Sequence, residues 1–500
     1  MTDGILLAID QGTSSSRAMG FSLRGETVAV EQQTFEQIYP APGWVEHDPE
    51  VIWATVLSTV RKLLAKLEDA GTRVAAIGIT NQRETTIVWD RRSGVPIFNA
   101  IVWQDRRTAE RCRTLNRDRV EAEVTAKTGL LLDPYFSSTK IAWILDRVPG
   151  ARDAAKAGHL AFGTVDSFLI WRLTGGRLHV TDATNASRTA LYDIRRGRWD
   201  DALCELFDVP MACLPEVRDS AGDFGLTDAA VLGRALPIRG VAGDQQAALV
   251  GQACFAAGDA KSTYGTGAFL VQNTARELVS SKNRLLSTIA YQLDGSVTYA
   301  LEGSILSAGS AIQWLRDGLG LISRAADVEA LAASVADTGG VYLVPAFTGL
   351  GAPYWDADAR GALLGLTRAA GRGEIARAAL DSVVYQTYDL LDAMAADGTR
   401  PVNLKVDGGM AQNGLFMQRL ADILGLAILR PRITESTAFG AACLAGLGSG
   451  IYRSLDDIAA LAQADVSFEP ALATAARAAE ITGWRSALSR VRSPPHGAGA

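Results

Sequence analysis

The stretch Ile5-Leu6-Leu7-Ala8-Ile9-Asp10-Gln11-Gly12-Thr13-Ser14-Ser15-Ser16-Arg17, continued by Ala18-Met19-Gly20-Phe21-Ser22-Leu23, sets the reading of the whole chain. An apolar run of strand length stops at an acid, passes through a turn of small residues and re-emerges as a second apolar run, which is the pattern of a β-hairpin. At the tip, Gly12 lets the backbone approach a ligand closely. Thr13, Ser14 and Ser15 add hydroxyls to the turn N–H groups, and Arg17 adds a positive charge. Together these make an anion cradle, beside which Asp10 would hold a hydrated Mg²⁺. The same residues also suit an ordinary polar turn between two strands, and a second copy is what raises the functional reading.

That copy is Lys261-Ser262-Thr263-Tyr264-Gly265-Thr266-Gly267-Ala268-Phe269-Leu270-Val271, again a polar Gly/Thr turn opening into an apolar strand. A third Gly turn, Asp407-Gly408-Gly409, follows the short strand 403–406 and precedes a helix-like segment. Two phosphate hairpins and a late Gly-Gly turn resemble the actin-like, ribonuclease H-like nucleotide-binding fold. The resemblance implies an α/β protein of two such domains with a catalytic cleft between them.

Five hundred residues exceed one ordinary core, so two large domains are expected. The formal net charge is −6, with Lys and Arg scattered, which gives no footprint for a nucleic-acid partner. Five cysteines, at 112, 204, 213, 254 and 443, form no Cys-x-x-Cys pair, so reduced thiols in a cytoplasmic protein are expected. The apolar run from Ile5 to Ile9 is too short for a signal peptide or a membrane span. We divide the chain into 1–250, 251–490 and a tail, 491–500, whose lack of large apolar side chains predicts disorder.

In chain order, Asp48 and Pro49 suit an N-cap and first helical position, and apolar residues at helical spacing predict an amphipathic helix over 49–70. His47, alone in its loop, reads as structural. Residues 74–80 read as a buried parallel strand that runs into Asn81-Gln82-Arg83-Glu84. Ligands in open α/β sheets sit beyond the carboxyl ends of strands, and an adjacent Arg and Glu offer a donor fork and an acceptor pair to neighbouring hydroxyls. A solvated loop pair is the plainer alternative. A second hairpin is predicted from strands 85–89 and 95–103. Later, Val241-Ala242-Gly243-Asp244-Gln245-Gln246 is a strand ending in an acid that opens a helix, where Asp244 could serve simply as an N-cap.

Several stretches resemble the FGGY carbohydrate kinase family, specifically its glycerol-phosphorylating branch: Asn81-Gln82-Arg83-Glu84-Thr85-Thr86, Trp103-Gln104, Asp133-Pro134-Tyr135-Phe136-Ser137, His179-Val180-Thr181-Asp182 and Thr184-Asn185-Ala186-Ser187-Arg188-Thr189. Tyr135 through Arg147 resembles the family's first signature and Gly361 to Asp381 its second. Lys140 reads as a solvated residue and takes no role, and Trp143 reads as helix core. The likeness runs from about Ile5 to about Trp484 in dispersed motifs.

The resemblance implies ATP-dependent phosphorylation of glycerol, with Asp244 as the catalytic base and Mg²⁺ near Asp10. Arg83, Glu84, Tyr135, Asp244 and Gln245 would hold the hydroxyls, and Trp103 and Phe269 would pack on the carbon chain. Thr13, Ser14, Ser15, Arg17 and Thr266 would grip phosphates, with Gly309 and Gln313 in one nucleotide-contacting turn and Gly409 and Asn413 in the adenosine-side turn. A homo-oligomer, dimer or tetramer, is expected, with no membrane span. Alternatives are a family member acting on a pentulose or sugar acid, or an actin-like protein whose ATP cycle drives assembly. Some bacterial relatives are inhibited by fructose 1,6-bisphosphate at a Gly-rich, Arg-bearing loop before the catalytic-Asp strand. Here Thr227 to Pro237 lacks the Gly run and carries Ala235 where that Arg aligns, with Arg234 displaced by one, so this control is not expected.

Overall fold

The computed structural model describes residues 4–117, 119–462 and 464–493. The opening hairpin forms as read: β1 (Gly4–Gln11) and β2 (Ser15–Ser22) pair antiparallel, with Asp10 opposite Arg17. β3 (Thr27–Thr34) adds to β2, and α1 (Pro49–Asp69) then crosses over the sheet. Asp48 caps α1, its carboxylate accepting from the Glu50 N–H at 2.8 Å, and Pro49 costs nothing at a position whose N–H has no helical partner. The buried face of α1, with Ile52, Val56, Val60 and Leu63, packs against Ile5, Leu7 and Ile9 of β1.

β4 (Arg73–Asn81) returns parallel to β1, and much later β5 (Ile238–Gly243) joins parallel to β4, giving the order β5-β4-β1-β2-β3. Between them lies α2 (Ser137–Arg147), and α3 (Asp244–Gly251) follows β5 without a break. The carboxyl ends of β1, β4 and β5 therefore converge on one edge, carrying Asp10, Arg83 and Asp244.

The second sheet contains β6 (Ala260–Tyr264), β7 (Ala268–Ala275), β8 (Leu286–Leu293), β9 (Ser296–Ile305), β10 (Asn403–Asp407), β11 (Ala427–Pro431) and β12 (Ala464–Phe468). Its inner order, β9-β7-β6-β10-β11, repeats the first sheet with the same parallel and antiparallel senses, while β8 and β12 extend the edges. One hairpin-plus-crossover unit is thus built twice, which is why the two phosphate-type turns occupy equivalent places.

Four helices of this half bear on the site: α4 (Gly309–Asp317), α5 (Arg372–Ala396), α6 (Gly414–Leu424) and α7 (Ser436–Gly448). α7 packs on the first sheet and on α3 so closely that a Cβ at Gly440 would collide with the Ala247 carbonyl. A helix from late in the sequence therefore ties the two sheets together at the foot of the cleft.

The second predicted hairpin forms only in part. Residues 87–90 pair with 160–163, and the return arm meets them at the Trp89–Pro96 bridge and through the Ile97 N–H to the Val88 carbonyl. Pro96 has no N–H to continue a ladder, and residues 100–101 pair instead with 46–47. Residues 494–500 of the expected tail lie outside the described residues, while Ser493 is held by Asp356 through its N–H at 2.7 Å. All five cysteines are free and buried. Among the described residues no helix is long and apolar enough to cross a membrane.

Candidate active site

The first turn is stiff before any ligand arrives. The Gly12 N–H donates to Ser15 O at 2.9 Å, and Gln82 Nε2 donates to Gln11 Oε1 and Gly12 O at 3.1 and 3.2 Å. Thr13 Oγ1 accepts from Trp103 Nε1 at 3.0 Å, which couples the turn to an aromatic wall, and Ser15 Oγ accepts from Gln32. Ser14 is exposed. Arg17 reaches across the cleft to pair with Glu435, just ahead of α7. Burial pushes the Asp10 carboxyl up to about 6, an effect that Arg17 opposes and that Asp244 and Glu435 reinforce.

The second turn is joined to the start of α4. Gly309 N donates to Gly265 O at 2.9 Å, and the N–H groups of Ala308 and Ser310 donate to Thr266 O at 3.0 and 3.1 Å. Thr266 and Gln313 are exposed beside this junction. β10 runs beside β6, which brings Asp407-Gly408-Gly409 alongside the same turn. Asp407 is buried at the end of β10, and Asn413 caps α6, accepting from Phe416 N at 2.8 Å. That leaves the Asn413 amide donors for a ligand, and Gly409 has open space around it.

At the carboxyl end of β4, Arg83 and Glu84 are buried, not solvated. Glu84 takes φ 58°, a costly backbone state for a side chain with a Cβ. Its carbonyl is pinned by the hydroxyls of Thr86 and Ser137, each at 3.0 Å. Its carboxylate accepts from Arg188 Nε at 2.6 Å; burial raises the Glu84 carboxyl, opposed by Arg188 and Arg83. Trp103 stands edge-on to Tyr135 and to Phe269 at 5.8 and 5.9 Å, and the Arg83 guanidinium lies 5.7 Å from the Phe269 ring centre. The three rings thus form one contiguous apolar surface, with Phe269 against the donor fork and polar groups at one end.

Asp244 is the first residue of α3, with its side chain 32% exposed against 2% for Arg83. Its Oδ1 accepts from Gln245 N at 2.8 Å and lies 3.0 Å from Arg83 Nε. A carboxylate at the cleft rim, held by a guanidinium on one side and open on the other, can take a proton from an alcohol.

Three residues of this arrangement went unassigned in the sequence. Glu302 on β9 is fully buried and accepts from Arg83 Nη1 at 2.5 Å, Arg83 Nη2 at 3.2 Å and Arg188 Nη2 at 2.8 Å. Arg188 is equally buried. Lys261 donates to Gln245 Oε1 and to Thr263, and burial brings its ammonium down to about 8 against the pull of Asp407 and Asp244. For Glu302 the available signal was a charged residue inside an otherwise apolar strand, which is buried only when paired.

Lys140 is a correction. It is fully buried, not solvated, and its Nζ donates to the Tyr135 carbonyl at 2.7 Å, so it braces the loop carrying that ring. Trp143 is half-buried, edge-on to Trp44 and Phe98. His47 is buried edge-on to Phe35, and burial lowers it to about 4, a neutral packing residue.

The chain fits the family models for the N-terminal domain of the FGGY family of carbohydrate kinases over residues 5–251 and for its C-terminal domain over 260–449. It is 59% identical over 488 residues to a glycerol kinase of Rhodospirillum centenum, covering 98% of each chain. The structure superimposes on that of Plasmodium falciparum glycerol kinase with ADP at a TM-score of 0.92 and 37% identity, covering 98% of each chain. A gluconate kinase from Lactobacillus acidophilus shares the fold at a TM-score of 0.87 and 21% identity, over 98% of this chain and 97% of that one. The chain belongs to the FGGY family of carbohydrate kinases.

Proposed function

We propose that this chain transfers the γ-phosphoryl group of ATP to a primary hydroxyl of glycerol, giving sn-glycerol 3-phosphate and ADP. The observation that carries this reading is the convergence of Arg83, Glu84 and Asp244 at one end of a space walled by Trp103, Tyr135 and Phe269. Such a site fits a short chain with a polar group on every carbon. The glycerol kinases at 59% identity support the choice of acceptor.

In this reading residues 1–250 hold the polyol and the first phosphate turn, and residues 251–490 hold the second turn and the adenosine side. An alcohol is a weak nucleophile. Asp244 takes its proton as the new O–P bond forms and the bond from the γ-phosphorus to the bridging oxygen breaks, releasing ADP. Arg83 and Glu84 fix the other hydroxyls by donating and accepting respectively, Gln245 adds an amide, and the rings exclude water. The turns at Gly12 and Gly265, with Thr13, Ser14, Ser15, Arg17 and Thr266, grip the phosphates from both sides. Most of the acceleration then comes from positioning and charge stabilisation.

Mg²⁺ keeps several waters and needs one or two protein carboxylates beside substrate phosphates. Asp10 fits: it is a buried oxygen donor at the phosphate turn, and burial with the neighbouring Asp244 and Glu435 raises its carboxyl against the pull of Arg17, so an added cation would stabilise its charged form. Among the described residues no group of three or more His, Cys, Asp or Glu is placed for a fully protein-ligated metal. When bound, the ion neutralises charge developing on the transferring phosphates. Coupled ADP release measured with glycerol, with a pentulose and without acceptor tests the proposal. Turnover with glycerol well above the other two is expected, and faster turnover with the pentulose would move the chain to another branch of the family.

A further inference from the structure

We propose that Glu302, on β9 of the second sheet, is a positioning residue for this reaction: it holds Arg83 and Arg188 in the polyol site and thereby limits Arg83's hold on the base Asp244. The inference rests on the reading of Arg83, Glu84 and Asp244 as the acceptor site.

A guanidinium has five N–H groups. Of Arg83's five, Nη1 spends two on Glu302 and on Gln246 Oε1 at 3.3 Å, Nη2 spends one on Glu302, and Nε faces Asp244. One Nη2 N–H is left for a substrate oxygen. Glu302 therefore decides which donor is free. It also steadies Glu84 at one remove, because Arg188 bridges Glu84 and Glu302 and its Nη1 has no partner of its own among the described residues. The four buried charges, Arg83, Arg188, Glu84 and Glu302, cancel. Burial alone would push the Glu302 carboxyl up, yet Arg188 and Arg83 hold it well below the usual carboxylate range.

Neutralising Glu302 leaves this cluster with one excess positive charge and takes from Arg83 at least one of its two acceptors. Asp244 then becomes the nearest carboxylate to compensate it. The charged groups that act on Asp244 are Arg83 at the end of β4, Asp10 at the end of β1 and Lys261 on β6. None of them is itself replaced in the variant; Glu302 also supports the charges of Arg83 and Lys261, so a shift in Asp244's behaviour reports Glu302 both directly and through these two groups. Because Glu302 comes from the second sheet and its arginine partners from the first half of the chain, the clamp also makes acceptor binding depend on how the halves are docked.

The test is Glu302→Gln in the full chain, read by steady-state kinetics across pH. A buried guanidinium robbed of its carboxylate is costly, so the glycerol KM is expected to rise at least about tenfold while the ATP KM stays within about twofold. The acid limb of the kcat profile is expected to move down by about one pH unit, since removing a nearby negative charge favours the ionised base. A lower melting temperature with glycerol KM and acid limb both unmoved would show a merely structural ion cluster and overturn the proposal. Glu302→Asp keeps the charge and shortens the reach; it should return the acid limb to the wild-type position while the glycerol KM stays raised. If Glu302→Gln does not fold, the aspartate variant decides alone, and a wild-type glycerol KM in it overturns the proposal. The wild type runs in parallel with a pentulose. If that acceptor is preferred, the glycerol reading fails, and the same readouts on the pentulose still judge Glu302.

Discussion

Gly243→Ala perturbs the site through shape alone. Gly243 has φ −59° and ψ 153°, a conformation alanine adopts freely, so the backbone raises no objection. A Cβ built there, however, lies 2.7 Å from both Cγ and Cδ of Arg83, where ordinary contact begins at 3.4 Å. The shortfall is about 0.7 Å. The two atoms sit mid-chain on a side chain whose far end is fixed by Glu302 and Asp244, so they cannot swing aside without lengthening those contacts. A misplacement approaching 1 Å at a positioning group costs up to about 10²-fold in rate. The expected result is a fall of about 10- to 100-fold in kcat/KM for glycerol, with the ATP KM and the melting temperature close to wild type, measured by coupled ADP release and thermal unfolding. Wild-type kcat/KM in this variant would refute the claim that Arg83's position is what the site depends on.

Asp244→Asn keeps Oδ1 as an acceptor for Arg83 and removes the base, so kcat should fall by roughly 10²–10⁴-fold at a near-normal glycerol KM; near-normal turnover would leave Asp244 as a helix start only. Asp389 is buried, with Trp484 Nε1 donating to it at 2.8 Å, and burial pushes its carboxyl up to about 7 despite the bonds from Trp484 and Tyr354. Because its folded-state value lies above the unfolded one, its contribution to stability is present below about pH 4 and is lost as pH rises through about 7. Asp389→Asn should therefore gain stability over wild type on going from pH 4.5 to pH 8, by up to about 3 kcal/mol. Urea unfolding at the two pH values checks this, and parallel changes in the two proteins would contradict it. Arg234 is paired with Glu68 at 2.5 Å beside a cavity of about 450 Å³ at the amino-terminal end of β4 and β5, so its guanidinium is already engaged. Sub-millimolar fructose 1,6-bisphosphate is expected to leave the rate unchanged, and inhibition abolished by Arg234→Ala would overturn this.

The parts of the site that local sequence could announce were announced. A Gly/Ser/Thr turn between apolar runs, an acid at a strand end and a Pro after an N-cap Asp each carry their cause within a few residues, and Asp10, Thr13, Asp48 and Asp244 sit where such causes put them. Glu302 could not be read that way: Arg83 and Arg188 lie 219 and 114 residues distant in sequence, and strand alternation tells only which face a residue takes. Lys140 failed for a related reason, since α2 is covered on more than one side and a helical pattern alone does not show what will cover it. The docking of α7 on the first sheet was hidden too, because small residues such as Gly440 mark a close approach without naming the partner.

Transfer of the γ-phosphoryl group tests the central claim most directly. Purified chain, ATP, Mg²⁺ and glycerol are followed by phosphorus NMR, with a pentulose and a sugar acid as parallel acceptors. The account predicts one sn-glycerol 3-phosphate formed for each ADP, at a rate the other acceptors do not approach and that Asp244→Asn removes. Release of inorganic phosphate in place of glycerol 3-phosphate, or faster transfer to either sugar, would contradict it.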